Sequence, residues 1–208
     1  MEDATSVKAV TAFAEEILAG SGWQLDRVRQ RSSRLDPPTY WTLFELSISK
    51  DETTRSLRMV AAGAFDDVAW QRLQHRLERT GEGRACDPVN GVGYPRLFPE
   101  SQYAYWFYPY DPIMPNLPTA ADPAAMASVL LGLDPDAAKA FAAAGRLQIE
   151  RVRYIPEVSG ILRYTINTGA GAVTIYGKVQ PGNRGLRTHR VVGGLWGAAK
   201  DYDYHGLI

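Results

Sequence analysis

Lys178 is the residue whose type and surroundings most clearly invite chemistry. It stands in the run Ile175-Tyr-Gly-Lys-Val179, where an ammonium among apolar neighbours needs either solvent or an anionic partner. A strand period of two places Tyr176 and Lys178 on one face and Ile175, Gly177 and Val179 on the other, and Gly177 leaves room beside the lysine. A lysine projecting from the third strand of a meander, beneath the turn joining the first two, can hold the phosphates of a nucleotide. The same spacing also fits a lysine on an edge strand whose stem lies along the sheet while its head reaches water.

Other constellations carry less. His75, His189 and His205 are far apart and lack carboxylates at ligand spacing, so no metal site is expected. Gly91-Val-Gly93 lacks the third glycine of a dinucleotide fingerprint, no Gly-x-Ser-x-Gly elbow occurs, and Cys86 has no histidine near it in sequence. Arg184, Arg187 and Arg190, with His189, could meet phosphates, although a solvated helix face accounts for the same pattern. The run Tyr103-Ala-Tyr-Trp-Phe-Tyr-Pro-Tyr110 could stack bases or sugars, but no basic residues interleave with its rings, which favours an extended segment buried over the core.

The elements that must position these residues follow from periodicity. Val7, Val10, Phe13, Ala14, Ile17 and Leu18 share one helical face, and Gly20-Ser-Gly22 stops the pattern. Trp23 to Arg31, Tyr40 to Ser49 and Arg55 to Phe65 read as an antiparallel three-stranded meander with turns at Asp36-Pro-Pro38 and Lys50-Asp-Glu52, closed by a helix from about Asp67 to Arg79. Between Thr80 and Pro118, glycines and seven prolines break up regular structure. Helices are predicted over Pro123 to Leu131 and Pro135 to Ala144, each opening on Asp-Pro, an acidic cap followed by proline at the first helical position. A second meander comprises Leu147 to Ile155, Gly160 to Asn167 and Ala172 to Val179, followed by a helix from about Arg184 to Lys200.

The expected fold class is therefore α+β, with two antiparallel three-stranded meander-plus-helix units. The expected division is a leading domain over 1–80, a proline- and aromatic-rich linker with two short helices over 81–145, and a final lobe over 146–208. The meanders echo one another: Asp26-Arg-Val-Arg-Gln30 matches Glu150-Arg-Val-Arg-Tyr154, and Ala62-Gly-Ala-Phe65 matches Tyr176-Gly-Lys-Val179. Chance similarity between amphipathic strands accounts for the echo equally well.

Composition bounds the function. The 208 residues are 45% hydrophobic, enough for one good core or two small ones. Twenty-three Lys plus Arg balance twenty-three Asp plus Glu, so no broad electrostatic footprint for nucleic acid or an anionic membrane is expected. The balance hides a split, with nine basic and four acidic residues from Gly145 onward against fourteen and nineteen before it. One cysteine cannot form an internal disulfide, and the apolar stretch Val7 to Gly20 is interrupted by Lys8, Glu15 and Glu16, so a cytoplasmic protein without signal peptide or membrane span is expected.

The segments Val152-Arg-Tyr-Ile-Pro156, Ile161-Leu-Arg-Tyr164 and Tyr176-Gly-Lys-Val179 resemble the start of the aminoglycoside-phosphotransferase-like, or maltokinase-like, small-molecule kinases. Phe107-Tyr-Pro-Tyr-Asp-Pro112 through Ala121-Asp-Pro123 resembles the segment that precedes the kinase lobe in some of them, so the likeness covers roughly Tyr105 to Lys200. The resemblance implies a nucleotide-side lobe that binds ATP through Lys178, Tyr176 and the turn residues Ser159 and Gly160. Mg²⁺ would be held mainly by a second lobe, which would also bring the catalytic aspartate that acts on a small hydroxylated substrate. There are departures. The turn from Pro156 to Gly160 has a single glycine, and the stretch from Arg184 to Lys200 contains no acidic partner for Lys178, which would then come from elsewhere, such as Glu157. Only thirty residues follow Lys178, so the chain alone is expected not to turn over, and its apolar finish at His205-Gly-Leu-Ile208 suggests truncation. Expected partners are the nucleotide and either the missing lobe or another protein. The alternative is a non-catalytic protein-interaction module derived from such a lobe.

Overall fold

The computed structural model describes residues 5–81, 95–133, 147–168 and 171–185. Its first helix, α1 (Val7–Leu18), begins where the Ser6 hydroxyl accepts a hydrogen bond from the Ala9 amide at 3.2 Å. It ends at Leu18 with Ala19 as its C-cap, and the chain then turns away at Gly20, whose φ of 76° no β-carbon opposes. The strands β1 (Gln24–Asp36), β2 (Thr39–Lys50) and β3 (Thr53–Ala64) form the expected antiparallel meander, and α2 (Asp67–Gly81) follows. The Asp66 carboxylate caps α2 by accepting from the Ala69 amide at 2.8 Å.

The region read as a linker contributes both strands that complete this sheet. β4 (Arg96–Phe98) and β5 (Tyr103–Phe107), joined by a single 3₁₀ turn over Pro99–Ser101, extend it to the order β1-β2-β3-β5-β4. β5 runs antiparallel to β3, pairing Met59 with Phe107 and Gly63 with Tyr103. The chain separates into two compact units, Met1–Ala121 and Asp122–Ile208, with β4 and β5 in the first. The physical reason is that an aromatic strand beside β3 satisfies backbone groups that a closing helix alone would leave open.

Strand alternation sends side chains of the first sheet to both faces. On one, Val10, Phe13 and Ala14 of α1 meet Phe44, Met59, Tyr105 and Phe107. On the other lie buried Leu43, Val60 and Trp106, with Trp70, Leu73 and Leu77 of α2 also buried. Each such side chain removed from water contributes roughly 1.5–3 kcal/mol.

After α3 (Leu117–Ala121) the second unit opens with α4 (Pro123–Leu133). Asp122 accepts from the amides of Ala124 and Ala125 at 2.7 and 3.0 Å, the expected acidic cap before a first-position proline. β6 (Leu147–Ile155), β7 (Ser159–Thr168) and β8 (Gly171–Val179) form a separate antiparallel sheet in sequence order, with α4 against β6. The helix predicted over Pro135 to Ala144, and the one from Arg184 beyond Gly185, lie outside the described residues. The α+β class holds for the molecule. No helix among the described residues is long and apolar enough to cross a membrane.

Candidate functional site

The second sheet has one buried and one open face. Leu162, Tyr164 and Ile166 of β7 are buried, with Leu147 and Tyr154 of β6. Gly177 is what lets the Tyr164 ring lie flat here, since a β-carbon on it would come within 2.7 Å of that ring. Burial raises the pKa of the Tyr164 hydroxyl above the usual tyrosine value. Tyr176 and Lys178 fall on the opposite, exposed face, as the period of two predicts.

Two rows of side chains cross that face. In one, Arg163 stands between Glu150 and Tyr176, ion-paired to the first and hydrogen-bonded to the second. The Tyr176 hydroxyl, and then the charge of Glu150, hold this guanidinium above its already high pKa. In the next row, toward the β6–β7 turn, Ile161 stands between Arg153 and Lys178. Strand spacing puts the backbones of Arg153 and Lys178 about 10 Å apart, within the span that two long cationic side chains can close on one polyanion.

Arg153 is the residue that sequence reasoning missed. Strict alternation places it with Arg151, on the face away from Glu150. A β-bulge at Val152 inserts one extra residue between Arg151 and Arg153, so the parity flips and Arg153 joins Glu150 on the open face. Exposed Val152, at 51%, is the trace of that bulge, and an apolar residue breaking an otherwise charged strand is the only signal the sequence offered.

Ser159 and Gly160 are placed differently from the pair on β8. Ser159 lies opposite Ile155 at the mouth of the turn and is 6% exposed, while Gly160 is buried between Tyr154 and Val179. Of the four residues expected to meet a nucleotide, Tyr176 and Lys178 alone stand on open surface. The turn itself is tight: the Val158 amide donates to the Ile155 carbonyl at 3.1 Å, with Pro156 leading into Glu157 at φ 59°, a type II pattern. Proline has no N–H and the Val158 amide is engaged, so this turn offers no succession of open backbone donors. Recognition of an anion on this face therefore falls to side-chain cations.

The upstream segment has structural work. Asp111, 1% exposed, accepts from the amides of Ile113 and Met114 at 3.0 and 3.1 Å, and the Tyr110 hydroxyl donates to the Leu77 carbonyl at 3.0 Å. Tyr105, Trp106 and Phe107 are almost wholly buried, so the aromatic run is core and not a stacking surface. Among the described residues no group of three or more His, Cys, Asp or Glu could hold a metal ion. Cys86, His189, His205, Arg187 and Arg190 lie outside the described residues. Comparison with family models, curated proteins and solved structures finds no match to this chain.

Proposed function

We propose that the second unit is the nucleotide-side lobe of a small-molecule phosphotransferase, similar to the aminoglycoside-phosphotransferase-like and maltokinase-like kinases, with Lys178 contacting the phosphates of ATP. The observation that carries this reading is the row Arg153–Ile161–Lys178, which sets two cations side by side on the open face of a three-stranded antiparallel sheet, next to the first hairpin turn. Lys178 lies on the third strand and is exposed, and Tyr176 beside it is 62% exposed. A triphosphate fits this donor set in charge, because two cations offset part of its negative charge while Ile161 between them and Tyr176 nearby give an apolar body to lie against.

In this reading ATP supplies the transferable phosphoryl group, and Mg²⁺ is held mainly by a second lobe, which also brings the carboxylates that act on the acceptor hydroxyl. Lys178 and Arg153 orient the phosphates. Arg163, tied to Glu150 and Tyr176, fixes the Tyr176 ring. Such a protein works in the cytoplasm, where ATP is available, and a single cysteine suits that compartment.

Calorimetry with Mg·ATP on the chain, on Lys178→Ala and on Arg153→Ala tests the site. Affinity is expected to fall about tenfold or more in each variant, the loss of a charge-assisted contact. Equal affinity of all three proteins removes Lys178 and Arg153 from the site.

A second reading has its own observation. β8 pairs only with β7 among the described residues, and Tyr176, Ile175 and Val152 expose apolar surface on this sheet. A non-catalytic module would take a partner there, with Lys178 acting as an edge charge that deters unwanted strand addition. Absence of nucleotide binding together with a defined protein complex lost in Tyr176→Ala favours this reading over the first.

A further inference from the structure

The first unit holds a depression of about 920 Å³ that the nucleotide reading leaves unused. It is formed entirely within that unit, where the end of β1, the start of β2, the end of β3 and the 3₁₀ turn before β5 converge. We propose that this groove binds a neutral, polyhydroxylated ring, that is, a saccharide or a closely similar polyol.

Its polar wall is a chain of groups that can each both give and accept. The Gln30 side-chain amide donates to the Ser33 hydroxyl at 2.8 Å, and the Ser33 hydroxyl lies 3.0 Å from that of Thr42. Hydroxyls and a carboxamide keep spare donors and acceptors after these bonds, and such mixed capacity complements sugar hydroxyls, which also do both. Charge points the same way. Arg34, the one cation among the lining residues, is ion-paired with Asp36 at 2.8 Å, so the wall presents no uncompensated cation to select a strong anion.

The apolar wall supplies the other half of sugar recognition, a platform for the C–H face of a ring. Phe65 is 58% exposed and its ring centroid lies 5.0 Å from that of Tyr40, while Leu35 nearby is 69% exposed. Large apolar groups standing open beside bound-chain hydroxyls are costly to leave in water, and a ligand that is apolar on its faces and polar on its edges satisfies both. Gly63 makes the platform possible, since a β-carbon there would fall 2.4 Å from the Tyr40 ring.

The groove is held in place before any ligand arrives. The Phe65 amide donates to the Pro38 carbonyl at 3.0 Å, tying the platform to the β1–β2 turn. The Ala64 amide donates to the Gln102 carbonyl at 3.1 Å, tying it to the 3₁₀ turn. Preorganised walls lower the ordering cost of binding, and the volume falls in the range usual for small-molecule sites.

Trp41 lines the groove, so its emission reports occupancy. The full chain is titrated with glucose, lactose, maltose and cellobiose, following tryptophan fluorescence and saturation-transfer NMR, in parallel with Phe65→Ala, Gln30→Ala and Lys178→Ala. Saturable binding of at least one sugar is expected, weakened about tenfold or more in Phe65→Ala and Gln30→Ala and unchanged in Lys178→Ala. Phe65 and Gln30 are exposed, and an unaltered melting transition checks that each variant is folded. No binding by any of the four sugars, or binding that survives both groove substitutions, overturns the proposal. So does ATP binding lost in Phe65→Ala and kept in Lys178→Ala, which would make the groove the nucleotide site and separate this failure from that of the β8 site.

Discussion

The two meanders use one device and put it to different ends. In each, a glycine on the third strand makes room for a tyrosine ring of the middle strand: Gly63 under Tyr40, and Gly177 under Tyr164. The next residue is where they diverge. Ala64 is 9% exposed, and its amide bonds the Gln102 carbonyl because β5 follows on that side of β3. Lys178 is exposed on a strand that has a neighbour on one side only among the described residues. A buried position on a strand flanked on both sides, such as Ala64, disfavours a charge, whereas an exposed one at an open edge can carry a charge and so can meet an anion. What sits beside a strand, and not the strand's own sequence, sets whether the same step in the pattern is core or site.

Substitutions in the two sheets put this contrast to the test. The largest effect is expected at Trp106, wholly buried on β5: Trp106→Ala should lower the unfolding free energy of the first unit by about 3–5 kcal/mol in denaturant titrations. A loss much below that would mean that β3 is adequately covered without β5.

Exchanging the divergent residues comes next. Ala64→Lys should cost on the order of 1–3 kcal/mol, since a long charged side chain would replace a methyl group that is only 9% exposed. Lys178→Ala should stay within about 0.5 kcal/mol of the parent, as expected for an exposed side chain. Similar costs at both positions would show that the two third strands are equally covered.

The glycines should separate by how far their tyrosines can move. Gly177→Ala meets the Tyr164 ring, 3% exposed, and should cost about 1–3 kcal/mol by overpacking. Gly63→Ala meets a half-buried Tyr40 whose ring can swing outward, so thermal denaturation should show the smaller loss there. The reverse order would place the tighter cover over the first sheet's tyrosine.

The smallest effects are in pH dependence, and they have opposite signs in the two units. Burial raises the Glu45 pKa, but hydrogen bonds from Arg58 and Ser56 and the charges of Arg58 and Arg31 outweigh it, so the folded value is depressed. Its stabilisation is present above the unfolded carboxylate pKa and is lost as pH falls through the folded value. Glu45→Gln should therefore flatten the acid limb of stability. Tyr164 has a raised pKa, so its contribution is intact below about pH 10, the unfolded tyrosine value, and is lost as pH rises beyond it. Tyr164→Phe should flatten the alkaline limb of the second unit.

Much of the fold was legible in local pattern. The helix face of Val7–Leu18 and the partial alternation of the meander strands are short-range signals, and the Asp122-Pro123 cap marks the start of α4. The pairing of Tyr103–Phe107 with β3 was not, because it joins residues some forty positions apart across a proline-rich stretch whose composition speaks only of irregularity. Of the candidate site, Lys178 and Tyr176 could be placed on one face by period alone. Arg153 could not, since one bulge at Val152 reverses the parity of everything beyond it. The groove in the first unit was equally silent: Gln30, Ser33, Thr42 and Phe65 form no motif, and they meet only because the strand ends and the 3₁₀ turn converge.

By itself, then, the order of residues determined the elements, the meanders and the lysine in an apolar strand, because helix and strand periods, caps and turns are written within a few positions. Tertiary structure alone decided which strands have neighbours on both sides, where the chain divides into units, and which polar groups converge. Those outcomes depend on long-range pairing and on single-residue register, which no local window of sequence contains.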